Sequence, residues 1–208
     1  MIIETEEELF FAIKQWLKKH GKSIIITILV FLTVGVGWFA AVRQNNNKLT
    51  EASVLYEELL TNVHNQDSEN IQSLANRLIT NYSHTPYSKL GALILAKNLA
   101  ENTKFDSAKK QLRWVMEKSE ISAVRQIARD RLAQILLVEN QKKEALEVLS
   151  TLDDPAYMPL IEVIKGDIKK ASGDTKAALN AYQKALEIWP VGFPGKELIK
   201  LKLQHLSS

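Results

Sequence analysis

The 208-residue sequence predicts an all-α protein in two parts: an N-terminal single transmembrane helix and, behind it, a solenoid of repeated helix pairs. Three observations predict it. Ser23–Val42 (SIIITILVFLTVGVGWFAAV) holds no charged residue and lies between Lys22 and Arg43. From Leu49 onward, apolar residues recur at helical spacing and strand-like alternation is absent. Prolines occur only at 86, 155, 159, 190 and 194, where helices start or stop.

Residues 1–22 read as a cytoplasmic amphipathic segment. Thr5 and Glu8 form a capping box, and Leu9, Phe10, Ile13, Trp16 and Leu17 share one helical face. Lys14, Lys18 and Lys19 are left for water, lipid headgroups or a partner. Within 23–42, twelve positions are Ile, Leu, Val or Phe. At about 1.5 Å per residue, 20 residues match the roughly 30 Å hydrocarbon core of a bilayer. Ser23, Ile24, Leu29, Gly35, Gly37, Trp38 and Val42 are expected in the span, with Trp38 as an interfacial anchor and membrane lipid as its surroundings. The long acidic leader fits a signal peptide poorly, so the expectation is a permanent tether. Lysines before the span outnumber basic residues just after it. The amino terminus is therefore expected in the cytoplasm, and the large domain across the membrane.

Residues 43–48 are expected as a polar linker, followed by a repeat domain over 49–208. The decisive pattern is internal. Ala108, Ala145 and Ala178 each begin an Ala-x-x-x-(Leu/Tyr)-x-x-(Val/Leu/Ala) stretch, and they stand 37 and 33 residues apart. That spacing is close to the ~34 of tetratricopeptide repeats, which predicts a tetratricopeptide-repeat-like α-solenoid. The last copy has the fullest motif, with Gly173-Asp174 at its turn and Pro190 closing it. Thr103 and Asn140 stand where the other turns would normally carry Gly. An earlier pair near 49–64 and 68–82 has the length without the motif, and Lys196–Leu206 reads as a carboxyl cap.

The sequence offers no chemistry. It has no cysteine, its four histidines are scattered, and no HExxH, GxSxG, P-loop or GxGxxG occurs. No cofactor, metal or small-molecule substrate is expected. The net charge of +3 is spread without a basic cluster, which argues against nucleic acid. Asp153-Asp154 before Pro155 reads as a helix cap. What remains is surface. The alanine register places Leu90, Leu93, Lys97, Ile127, Asp130, Gln134, Leu137, Val163 and Asp167 on the first-helix face, a candidate groove for an apolar or amphipathic segment.

The whole order of motifs resembles the YfgM family of bacterial inner-membrane proteins. The resemblance rests on Gly21-Lys22, Gly37-Trp38, Ala52-Ser53-x-x-Tyr56, Arg131-Leu132-Ala133, Gly166-Asp167, Gly173-Asp174 and the closing Leu201-Lys202-Leu203-Gln204-His205-Leu206-Ser207. It implies an ancillary subunit of the SecYEG translocon that associates with the membrane-anchored periplasmic chaperone PpiD and passes emerging proteins to periplasmic chaperones. It also implies negative control of the Rcs response regulator, an inner-membrane address with a periplasmic carboxyl-terminal domain, and no catalytic residues. The competing expectation is a cytoplasm-facing or signalling scaffold with no part in secretion.

Overall fold

The computed structural model describes residues 6–192 and 194–207 and is all-helical over them. The chain divides into two compact units, Met1–Thr50 and Glu51–Ser208. The described residues of the first belong to helix α1, Glu6–His64, and their large apolar side chains are exposed: Phe10, Phe11, Ile13, Trp16 and Leu17, then Phe31, Leu32, Trp38 and Phe39. Trp16 and His20, one turn apart, bring their rings to 5.4 Å between centroids. Residues 43–48 are helical, and the Thr50 hydroxyl donates to the Asn46 carbonyl at 3.1 Å.

The expected transmembrane helix over Ser23–Val42 is overturned: among the described residues, no helix is long and apolar enough to cross a membrane. Ser23–Val42 is instead an inner part of one helix that runs from Glu6 to His64 and carries Lys and Glu residues on either side of the run. The side chains of Ser23, Ile24 and Leu29 lie outside the described residues; Gly35, Gly37, Trp38 and Val42 are exposed. The single-pass inner-membrane topology, with a cytoplasmic amino terminus and a periplasmic carboxyl-terminal domain, loses its basis with the span.

In the second unit, the end of α1 is followed by α2 (Ser68–Asn81), α3 (Pro86–Glu101), α4 (Phe105–Lys118), α5 (Ser122–Val138), α6 (Lys142–Val148), a 3-10 turn at Pro155–Tyr157, α7 (Met158–Ala171), α8 (Thr175–Glu187) and α9 (Lys196–Ser207). From α2 onward the helices pack on their chain neighbours, and α5 also meets α3 and α7. This near-neighbour pattern is that of a solenoid.

Four turns set the repeat. Gln66, Thr103, Asn140 and Gly173 all have positive φ (57°, 59°, 63° and 80°) and recur at intervals of 37, 37 and 33 residues. At each, the residue's own N–H bonds the carbonyl three back, and the next N–H reaches five back, as in Thr103 to Ala100 (3.0 Å) and Lys104 to Leu99 (2.8 Å). Gln66 and Asp67 make the same pair to Val63 and Asn62, at 3.2 and 3.1 Å. Each first helix thus ends in a left-handed cap that satisfies otherwise orphan carbonyls. Asp67 and Asp174 then cap the helices that follow, accepting from Asn70 N (3.1 Å) and Ala177 N (3.0 Å). The pair before residue 82, which lacks the sequence motif, is therefore a full repeat in geometry.

The same register exposes a volume rule. Seven residues before and nine after each positive-φ residue stand Leu59 and Ala75, Ala96 and Leu112, Ala133 and Leu149, Gly166 and Tyr182. All eight are buried. One member is always small when the other is large, and the first repeat reverses which helix carries which. This reversal hides the first repeat from a search for the alanine motif. Most of the core is one cluster from Ala52 to Ile168, and a second holds Val163, Ala178, Tyr182, Ala185 and Ile199 at the carboxyl end. Helix α9 closes that end through Ile199 while Leu198 and Leu201 stay exposed.

Candidate functional site

The first helices of successive repeats, α3, α5 and α7, carry all nine residues predicted for the groove. Leu93, Asp130 and Val163 are buried, at 5%, 2% and 8% exposure. Leu90, Ile127 and Leu137 are half-buried and pack against the main core. Asp167 accepts the Tyr182 hydroxyl at 2.6 Å and pairs with Lys202. Burial, and then this bond to Asp167, raises the Tyr182 phenol above its ordinary value. Only Lys97 and Gln134 are open to solvent.

Asp130 belongs to a polar cluster inside the α5–α7 region. Gln126, fully buried, donates to Asp130 Oδ1 at 2.7 Å and accepts the Asp153 N–H at 2.8 Å. Asp130 Oδ2 is buried without a hydrogen-bond partner among the described residues. Burial pushes this carboxyl up to about 6, against the Gln126 bond and the Arg129 charge, with Asp153 adding to the rise. Burial also pushes Asp153 upward, but Arg125 at 3.1 Å and Arg129 at 2.9 Å together hold it below the ordinary carboxylate value. Asp154 accepts from Ala156 N at 3.0 Å and caps the 3-10 turn. Asp153-Asp154 is thus a structural corner that ties α5 to the loop before α7.

Lys97 and Gln134 come together at a cleft of ≈ 620 Å³ between α3, α4 and α5. Its floor is Ala96, Leu112 and Ile135, and its apolar walls include Phe105 and Val138. Val138 is 69% exposed, unusual for an apolar residue next to a core. Small side chains at Ala96 and Ala100 leave the α3 wall low. Sequence reasoning missed Arg131, Phe105 and Val138. The signal was present as Arg131-x-x-Gln134-Ile135-x-x-Val138, one stripe of α5 at i, i+3, i+4 and i+7. A second concavity, ≈ 390 Å³, holds Leu90 with Lys89, Trp114 and Ile121. There the Lys89 ammonium lies 5.9 Å from the Trp114 ring centroid and donates to the Ser83 carbonyl. Among the described residues, no group of three or more His, Cys, Asp or Glu side chains is placed to hold a metal.

The sequence matches the family described as tetratricopeptide repeat-like domain over residues 14–208. It is 31% identical over 204 residues to the ancillary SecYEG translocon subunit of Aggregatibacter actinomycetemcomitans, covering 98% of both chains. This chain belongs to the YfgM family. Family members of the same description in Buchnera aphidicola (from Acyrthosiphon pisum) and Neisseria gonorrhoeae are 28% and 25% identical. The first alignment covers 89% of this chain and 95% of the relative, and the second covers 98% of each. No solved structure matches. The YfgM likeness therefore runs nearly end to end, through the degenerate first repeat as well as the clear last one.

Proposed function

We propose that this chain is a non-catalytic adaptor of the SecYEG translocon. It holds emerging polypeptides on the first-helix face of its repeats and passes them to chaperones, PpiD among them. The near end-to-end similarity to proteins described as ancillary SecYEG translocon subunits carries this reading. The solenoid suits it because stacked helix pairs present a continuous surface for a passing chain. The cleft at Lys97 and Gln134, with its exposed Val138 wall, supplies apolar area for a weakly held segment. Transfer requires fast release, so the expected Kd for a polypeptide is roughly 1 μM or weaker.

Photocrosslinking in living cells tests it, with the crosslinking side chain placed at Lys97, Gln134 and Val138 of the full chain at native expression. The expected result is adducts with SecYEG subunits and with newly made secreted proteins, the latter lost when translation stops. Adducts with neither class from any of these positions, together with no co-purification of SecYEG, would overturn the reading.

A further inference from the structure

Arg131 is the unusual charge of the repeat unit. Helix α5 carries three arginines, and two of them, Arg125 and Arg129, share Asp153. Arg131 meets no carboxylate among the described residues. Among the described residues its hydrogen bond is from Nη1 to the Leu93 carbonyl at 3.0 Å, a mid-helix oxygen of α3. A guanidinium has five N–H donors in a planar fork, so most of this one is unspent. Arg131 is also partly buried, and that burial lowers its pKa from the ordinary value. A charge withdrawn from water without a counterion is a standing cost that a carboxylate ligand would relieve.

Arg131 lines the cleft between α3, α4 and α5. Two other charges share its rim: Lys97 and Glu101, paired with each other at 3.6 Å. The rim therefore keeps one positive charge in excess. Below it lie the apolar surfaces of Phe105, Leu112, Ile135 and Val138. An aliphatic side chain fits that floor, and a carboxylate close beside it fits the rim. Neither alone uses the whole cleft.

We propose that the α3–α4–α5 cleft is a binding site for a polypeptide segment that carries an aliphatic side chain next to a carboxylate, with Arg131 receiving the carboxylate and Phe105 and Val138 flanking the aliphatic group. The proposal rests on the reading of the repeat face as polypeptide-binding and names the segment chemistry it selects. A fully basic or purely apolar segment leaves Arg131 unanswered.

The test is fluorescence anisotropy with the full chain and a labelled, carboxyl-amidated peptide containing Leu-Glu-Leu between Gly-Ser flanks. A second peptide has Gln in place of Glu. The Glu peptide is expected to bind roughly tenfold more tightly, the scale of one charge-assisted hydrogen bond, and to lose affinity as salt rises. Arg131→Gln should abolish the difference between the two peptides. Val138→Glu changes an exposed side chain and leaves the Arg131–Leu93 bond intact; it should weaken the Glu peptide at least tenfold without altering the melting curve. Equal affinity for the two peptides, or Glu-peptide binding unaffected by Val138→Glu, would overturn the cleft proposal. Either result leaves the crosslinking to SecYEG as a separate measurement, so failure of the cleft and failure of the translocon reading are distinguishable.

Discussion

Gly166→Ala should destabilise the repeat unit, although Gly→Ala within a helix ordinarily stabilises it by about 1 kcal/mol. Gly166 lies inside α7 and is buried. A Cβ placed there would collide with Tyr182 Cε1 and lie 2.6 Å from Cδ1 and 3.0 Å from Cζ. Ordinary carbon contacts need about 3.5–4.0 Å, so the ring must retreat by roughly 1 Å. It has nowhere to go: Tyr182 is fully buried, and its hydroxyl is held by Asp167 at 2.6 Å. Overpacking of this kind costs about 1–3 kcal/mol, and a displaced hydroxyl adds about 1 kcal/mol. After the helix gain, the net loss is about 2 kcal/mol. For a unit of this size that lowers Tm by roughly 4–8 °C. The double variant Gly166→Ala/Tyr182→Leu installs the Ala–Leu pair found at the same register in two other repeats. It should recover more than half of the loss, which makes the two sites strongly non-additive. Thermal melts and urea unfolding of the single and double variants measure this coupling. A neutral or stabilising Gly166→Ala, or simple additivity with Tyr182→Leu, would refute the reasoning.

Asp130 has a folded pKa raised from 3.8 to about 6, so its protonated form is favoured by folding. Its contribution is fully present below about pH 4 and is lost as pH rises through 6, a difference of about 3 kcal/mol. Asp130→Asn should therefore stabilise the chain at pH 7.5 by about 2–3 kcal/mol, with the advantage shrinking toward zero at pH 4.5; a constant difference across urea titrations would contradict this. Asp153 acts with the opposite sign, since its lowered pKa adds stability that disappears only as pH falls below the ordinary carboxylate range. Asp153→Ala should cost about 3 kcal/mol at pH 7, because it strands Arg125 and Arg129 together, and calorimetry would show it. Thr103→Gly removes a β-branched residue from positive φ (59°) and should raise Tm by about 2 °C, net of the extra freedom that glycine brings to the unfolded chain.

The helical repeat was legible because its signal is local. Ala108, Ala145 and Ala178 are fully buried, and their spacing is set by the repeat period. The first repeat was harder to read: Ile71 stands where those alanines would be, and Leu59 and Ala75 reverse the usual order of large and small. Either order fills the same volume, so packing tolerates what a motif search does not. For the site, the register placed Lys97 and Gln134 on the open face, but it also placed Leu93, Asp130 and Val163 there, and these are buried. A first-helix face is shared between solvent and the next repeat, and one-dimensional spacing does not divide it. The uncharged run at Ser23–Val42 led further astray. Hydropathy predicted a membrane span, and among the described residues no helix meets that condition.

By itself, the sequence determined the all-α class, the repeat period, the positions of the turns at Thr103, Asn140 and Gly173, and the YfgM family. Each follows from residue type and spacing along one chain. Only the tertiary structure decided that Gln66 makes the same turn, that Gly166 must stay glycine beneath Tyr182, and that Arg131, beside an apolar cleft, meets no carboxylate among the described residues. Those depend on which side chains from distant positions meet, and on whether a buried charge finds a counterion there. The packing of neighbouring repeats settles both.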